Sequence, residues 1–154
     1  MRAVVERTRR ATVRLPQETG GQLTAGQIGI GLLVYAAAAP DDTAEDVRYI
    51  ADKVAHLRVF TDADGKMNLD VGQAGGNVLL VSAFSVLADA RKGRRPSFDA
   101  SAPGPVAEPL IEQLAAEIRT YGLMVETGRF AAHMLVAAIN DGPICVLLDS
   151  RRAL

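Results

Sequence analysis

A single cysteine, Cys145, among 154 residues leaves no partner for an internal disulfide and suits a reducing compartment. Tryptophan is absent. The two histidines, His56 and His133, lie far apart and with one cysteine make no zinc set, so neither metal nor any other cofactor is expected. No apolar run reaches the length of about 18 residues that a membrane-crossing helix needs, which excludes a membrane partner of that kind. The start, Met1-Arg2-Ala3-Val4-Val5-Glu6-Arg7, is charged too early and too often for a secretory signal, and a cytoplasmic location is the expectation. A formal net charge of −1 provides no global positive field, so any contact with nucleic acid has to come from a local patch. Internal repeats and low-complexity tracts are missing as well.

What is present is the composition of a globular chain, 49% hydrophobic and 23% charged, long enough for one domain over residues 1–154 with a substantial core. Between Ala11 and Leu15 apolar and polar residues alternate, as in a strand with one wet face. The run from Ile28 to Tyr35 reads as a buried strand closed by Pro40-Asp41-Asp42. Thr43 with Asp46 three positions on resembles a capping box, and Val47, Ile50, Ala51, Val54 and Leu57 form one helical stripe. Val59 and Phe60 begin a strand that Asp62-Ala63-Asp64-Gly65 turns back, and Val78 to Val86 suits a central strand. Asp89 to Pro109 reads as a long loop, followed by a helix with Leu110, Ile111, Leu114, Ala115 and Ile118 on one face and Gly122 at its end. Proline is tolerable only in that helix's first turn. Two closing strands, about 134–139 and 144–148, flank Gly142-Pro143. Strands outnumber helices without strict interleaving, so the fold class is α+β, a mixed, barrel-like sheet core with two main helices.

Several motifs invite chemistry. The glycines of Gly26-Gln27-Ile28-Gly29-Ile30-Gly31 lead into a strand, whereas a dinucleotide fingerprint opens a helix, so they read as turn and close-packing residues. Asp62 and Asp64 precede Gly65 by the wrong spacing for a calcium loop. Ser82 and Ser85, with His133 as base, offer a hydroxyl nucleophile, but no Gly-x-Ser-x-Gly elbow surrounds either serine. Cys145 sits in an apolar run and reads as a small core residue. Arg91-Lys92-Gly93-Arg94-Arg95-Pro96 is either a solvated loop or a phosphate clamp, since guanidinium forks match phosphate oxygens. A glycine before a proline, between two apolar runs in Asn140-Asp141-Gly142-Pro143-Ile144-Cys145, is a turn that starts the last strand or a rigid backbone wedge aimed at a site.

Taken together, Gly65-Lys66-Met67-Asn68-Leu69, Val81-Ser82-Ala83-Phe84-Ser85, Arg91 through Phe98, Glu126-Thr127-Gly128-Arg129-Phe130-Ala131-Ala132 and Asn140-Asp141-Gly142-Pro143 resemble the D-aminoacyl-tRNA deacylases of the common bacterial and eukaryotic type, in the same order and over nearly the whole chain. The resemblance implies an enzyme that hydrolyses the ester between a D-amino acid, or glycine, and the terminal adenosine of tRNA. It also implies a homodimer in which Gly142 and Pro143, with a cis bond between them, enter the partner's active site, oriented by Arg7 and grouped with Asn140. Backbone carbonyls there would accept from the substrate ammonium and leave an L side chain no room.

By the same resemblance, Ser82, Ala83, Phe84 and Ser85 frame the reacting carbonyl, with backbone N–H groups as oxyanion donors and the ribose 2′-OH assisting the attacking water. Arg91, Lys92, Arg94 and Arg95 are the candidates for tRNA phosphates. The chain departs from the family pattern where Ser-Gln-x-Thr becomes Ser82-Ala83-Phe84-Ser85, where Val-Thr becomes Ile144-Cys145 and where Ala-Asp-Met-Gln becomes Ala132-His133-Met134-Leu135. Two alternatives stay open: a tRNA- or DNA-binding relative with weakened catalysis, and an esterase using Ser85 as nucleophile.

Overall fold

The computed structural model describes residues 1–153. Strand β1 (Arg2–Pro16) is the axis of the molecule. Its first half pairs antiparallel with β3 (Gly31–Ala37), its second half with β2 (Gln22–Ile28), and β8 (Leu135–Asp149) runs along its other edge. β3 continues in parallel to β6 (Asn77–Ser82), and β6 to β7 (Val125–Thr127). The sheet curls until its ends nearly meet. A Cβ on Gly26 of β2 would lie 2.7 Å from the carbonyl oxygen of Thr127 in β7, so only glycine permits that approach. Gly31 is tighter still, with Asn77 O 1.9 Å from where its Cβ would sit. Close packing is therefore what these two glycines supply.

Helix α1 (Ala44–His56) starts at the expected capping box, where Thr43 accepts from the Glu45 N–H and Asp46 accepts from the Thr43 N–H at 2.8 Å. Helix α2 (Gly104–Thr120) packs with it against one face of the sheet, over Leu32, Val34, Ala36, Val78 and Leu80. The opposite face buries Ala11, Val13, Ile28, Leu33, Leu79 and Val81 inside the curl. Having two dry faces explains why β3 and β6 read as continuous apolar runs rather than alternating ones. A short hairpin of β4 (Phe60–Thr61) and β5 (Met67–Leu69) turns at Asp62–Gly65, as expected. Among the described residues no helix is long and apolar enough to cross a membrane.

Several expectations need correction. Ile28 to Tyr35 is not one strand: Ile28 ends β2, and a bend at Gly29-Ile30 sends the chain into β3. The apolar run from Val78 leaves the sheet at Ser82 and winds into a 3-10 turn over Phe84–Leu87, because its last residues cap the barrel instead of crossing it. The long loop is shorter than expected, since α2 begins at Gly104 and holds Pro109 in its interior rather than its first turn. Pro109 is exposed, and the residue four positions earlier is also a proline. Finally, the two closing strands are one. β8 pairs with β1 from Leu135 to Asn140 and again from Cys145 to Asp149, and Cys145 is exposed on it, not in the core.

Candidate functional site

Where β6 leaves the sheet, a cavity of about 620 Å³ opens between the ends of β3 and β6, the first turns of α2 and residues 130–134. Ser82, Ala83, Phe84 and Ser85 all line it. The Ala83 N–H donates to Ala36 O at 2.9 Å, continuing the parallel ladder one residue past the strand and fixing the segment's position. The next two N–H groups, of Phe84 and Ser85, have no acceptor among the described residues, whereas the Val86 and Ala88 N–H groups bond back to Ala83 O and Ser85 O. The chain thus leaves two consecutive donors uncommitted beside an apolar hollow. Among the described residues, Tyr35 and His133 are the cavity's titratable side chains, and no carboxylate, lysine or arginine lines it. Burial, with the Glu6 charge adding to it, raises the Tyr35 phenol above its ordinary value.

The second constellation sits on β8. Between Asn140, opposite Thr8, and Cys145, opposite Glu6, four residues of β8 face the single residue Arg7 of β1 and bulge outward. The Asn140 side chain closes the base of this excursion: its Oδ1 accepts from the Ile144 N–H at 2.8 Å and its Nδ2 donates to Ile144 O at 3.1 Å. A side-chain amide therefore takes the place of the missing ladder rung. Arg7 Nε donates to Asp141 O at 2.8 Å and its other arm donates to Val59 O, while Arg9 reaches the Asp141 carboxylate at 3.1 Å. At the tip are Gly142 (φ +154°) and Pro143, joined by a cis bond and exposed. The structure thus assembles Arg7, Asn140, Gly142 and Pro143 into one unit, but within this chain none of them lines the cavity of Ser82–Ser85.

The arginine-rich segment forms a third group. Asp89 and Ser97 bridge it with two 2.8 Å backbone bonds, making a closed loop with Gly93 at its tip (φ +73°). Arg91 grips Asp89 with both Nε and Nη2, and that contact holds the Asp89 carboxyl down to about 2. Lys92, Arg94 and Arg95 are exposed and make no ion pair among the described residues. The loop is tied to the cavity rim through Phe98, whose ring meets that of Phe84 edge to face at 4.9 Å, and through Ser101 Oγ, which donates to Phe84 O at 2.8 Å.

Residues 4–149 match the family model of the D-Tyr-tRNA(Tyr) deacylases. The chain belongs to that family. It is 53% identical over 152 residues to the D-aminoacyl-tRNA deacylase of Anaeromyxobacter dehalogenans, covering 99% of each chain. It is 50% identical to that of Neisseria meningitidis serogroup B, covering 97% of this chain and 91% of the other. Among solved structures, the c-Myc DNA Unwinding Element Binding Protein superposes with a TM-score of 0.86 at 32% identity, over 97% of this chain and 98% of that one. A probable eukaryotic D-amino acid tRNA deacylase superposes with a TM-score of 0.78 over 96% and 97%; at 16% identity that likeness is one of fold. The family expected from the motifs, and the hydrolase class that goes with it, are borne out, as is the α+β barrel-like sheet with two helices.

Within this deacylase fold, sequence reasoning missed Tyr35 as a contributor and named Asn140 without its structural role. Tyr35 was submerged in an apolar strand and gave no sign that its ring reaches the cavity. Asn140 was grouped with the Gly–Pro motif, but nothing in the sequence signals that its amide substitutes for a rung of the sheet.

Proposed function

We propose that the chain hydrolyses the ester of D-aminoacyl-tRNA, and of glycine carried on tRNA, with Phe84 and Ser85 N–H as the oxyanion donors and Gly142-Pro143 as the element that rejects L-aminoacyl groups. The observation that carries this reading is the pair of uncommitted N–H groups at an apolar cavity lined by no carboxylate among the described residues. Donors held in place before the reaction begins are worth about 10²–10³ in rate each. With no carboxylate lining the cavity among the described residues and His133 exposed at its edge, the 2′-OH of the terminal ribose assists the attacking water. Replacement of the usual glutamine by Ala83 leaves this arrangement intact, because the Ala83 main chain is anchored on Ala36 O and not on its own side chain.

Gly142 and Pro143 act on the cavity of a second copy. Their exposure supports this, as does the apolar, one-sided edge strand that carries them, on which Leu135, Ile139 and Leu147 are 42–60% exposed. In that homodimer the excursion's carbonyls receive the substrate ammonium and its backbone occupies the space an L side chain needs, so glycine and D residues pass. Lys92, Arg94 and Arg95 meet acceptor-stem phosphates, and affinity falls as salt rises. A cytoplasmic site of action fits such a substrate.

Deacylation of matched D-Tyr-, Gly- and L-Tyr-tRNA tests the proposal, with the first two expected to be cleaved and the third spared. Ser85→Ala is expected to stay active, and a tRNA ending in 2′-deoxyadenosine to be cleaved poorly; the reverse pair of results would favour Ser85 as a nucleophile. The DNA-binding name of the relative at TM-score 0.86 supports a second reading, a nucleic-acid-binding protein with weakened chemistry. Salt-sensitive tRNA binding without turnover would support it over the first.

A further inference from the structure

Five of the residues lining the main cavity are exposed and so form its mouth: Phe84, Ser85, Gly104, Ala131 and His133. Phe84 presents a ring, Gly104 and Ala131 present no polar side chain, and Ser85 presents a short hydroxyl. His133 is the one mouth residue with a long-reaching N–H donor that can also carry positive charge. It is held there by a tight turn in which the Ala132 N–H donates to Arg129 O at 3.3 Å and Ala131 takes φ +55°, a left-handed conformation that alanine rarely adopts. No hydrogen-bond partner occupies the imidazole among the described residues. Inside the mouth no lysine or arginine among the described residues lines the cavity, so no side-chain cation there meets a phosphate.

Under the deacylase reading, on which this inference rests, the occupant is the 3′ end of an RNA chain. A cavity of about 620 Å³ accommodates an aminoacylated nucleoside. The first group of that substrate outside the cavity is then the phosphodiester joining the terminal nucleotide to the one before it. This anion must cross the mouth. We propose that His133 is a specificity-determining residue that donates a hydrogen bond to this phosphodiester, so that the cavity distinguishes an aminoacylated RNA end from an aminoacylated nucleoside. The contact is made outside the reacting centre, so it acts on substrate binding and leaves the chemical step alone. The exposed arginine-rich loop cannot take this place, since none of its residues lines the cavity.

The test compares two esters, D-tyrosyl-tRNA and D-tyrosyl-adenosine, which has no phosphate. It uses the full-length protein and its His133→Ala, His133→Gln and His133→Arg variants. On the tRNA ester, His133→Ala should raise KM by about 10–100-fold, the size of one hydrogen bond to a charged group, with kcat within about twofold. Arg should restore KM, and Gln should recover part of it. On the nucleoside ester all four proteins should be equal. A His133→Ala loss that is equal on both esters, or a fall in kcat instead of a rise in KM, overturns the phosphate role, the latter in favour of His133 as a base. Identical constants for all variants on the tRNA ester overturn it too. If the wild-type protein cleaves neither ester, the deacylase reading fails and this inference goes with it.

Discussion

Gly142 is where a single atom matters most. Its φ of +154° is closed to most L residues, and a Cβ there would lie 2.6 Å from both the Cγ1 and the backbone N of Ile144. Those two atoms belong to the residue that Asn140 clamps, so they have little freedom to withdraw. Gly142→Ala should therefore cost about 1–3 kcal/mol of local strain and displace the carbonyls at the tip. A shift of about 1 Å in a positioning group is enough for a loss of about 10²-fold in turnover. We expect a loss of that order with D-Tyr-tRNA, read from initial rates, while the folded circular-dichroism spectrum persists. At this scale the sequence was informative where chemistry depends on residue type: a glycine before proline, four cations in five residues, two serines at a strand end. It was mute where chemistry depends on what a neighbour leaves unpaired. Nothing in Phe84 or Ser85 as letters indicates that their N–H groups go without acceptors while that of Ala83 is taken.

Among the elements, β8 departs furthest from its sequence. The Gly–Pro pair reads as a break between two strands, yet both flanks pair with the same partner, so the break is an excursion from one continuous strand. Sequence could not show this because continuity resides in β1, more than a hundred residues away. The same holds for β2 and β3: the bend at Gly29-Ile30 lies within an unbroken apolar run, and only the switch of pairing along β1 reveals it. By contrast α1 was readable in full, since its capping box and stripe are local. The excursion's closure rests on the Asn140 amide, which makes two bonds to Ile144 and a weaker one to Glu6 at 3.4 Å. Asn140→Ala should leave Ile144 N–H and O without those partners. That costs about 1–3 kcal/mol, confined to residues 140–144 because the ladder on either side is untouched. Hydrogen exchange should show faster exchange at Ile144 with β1 and the rest of β8 still protected, accompanied by lost activity.

For the whole molecule, two arrangements join distant parts of the chain. One is a polar knot where the Met1 amine donates to Asp42 and Ser150, Ser150 donates to Asp46 at 2.6 Å, and Arg2 and the Arg151 N–H donate to Asp149. Burial pushes Asp46 up, but the donors from Ser150 and Thr43 outweigh it and leave the carboxyl below its ordinary value. At Asp149 burial is likewise outweighed by the Arg151 N–H and Arg2. A carboxyl depressed in the folded state contributes stability above the unfolded value of about 3.9 and loses it as pH falls through the lower folded value. Denaturant midpoints should therefore be flat from neutrality to about pH 5 and decline below about pH 4, less steeply in Asp46→Asn.

The other arrangement is the proposed two-fold one, and symmetry makes it testable without a structure of the dimer. If each active site takes its cavity from one copy and its Gly142-Pro143 corner from the other, damage to cavity and damage to corner complement when they reside in different chains. Phe84→Pro removes one of the proposed oxyanion donors; Ala83 before it (φ −146°, ψ 85°) already lies outside the α region that a following proline disfavours. Gly142→Ala damages the corner. Each homodimer should lose about 10²-fold or more in rate. Co-assembled in equal amounts, half the dimers are mixed, and each of those holds one site with both parts intact and one with both damaged. Activity should then return to about a quarter of the wild-type value, the fraction that isologous pairing dictates. A corner acting on its own chain's cavity gives no recovery at any mixing ratio. Titrating the ratio of the two variants and finding the rate flat would therefore remove the trans arrangement while leaving the deacylase chemistry untouched.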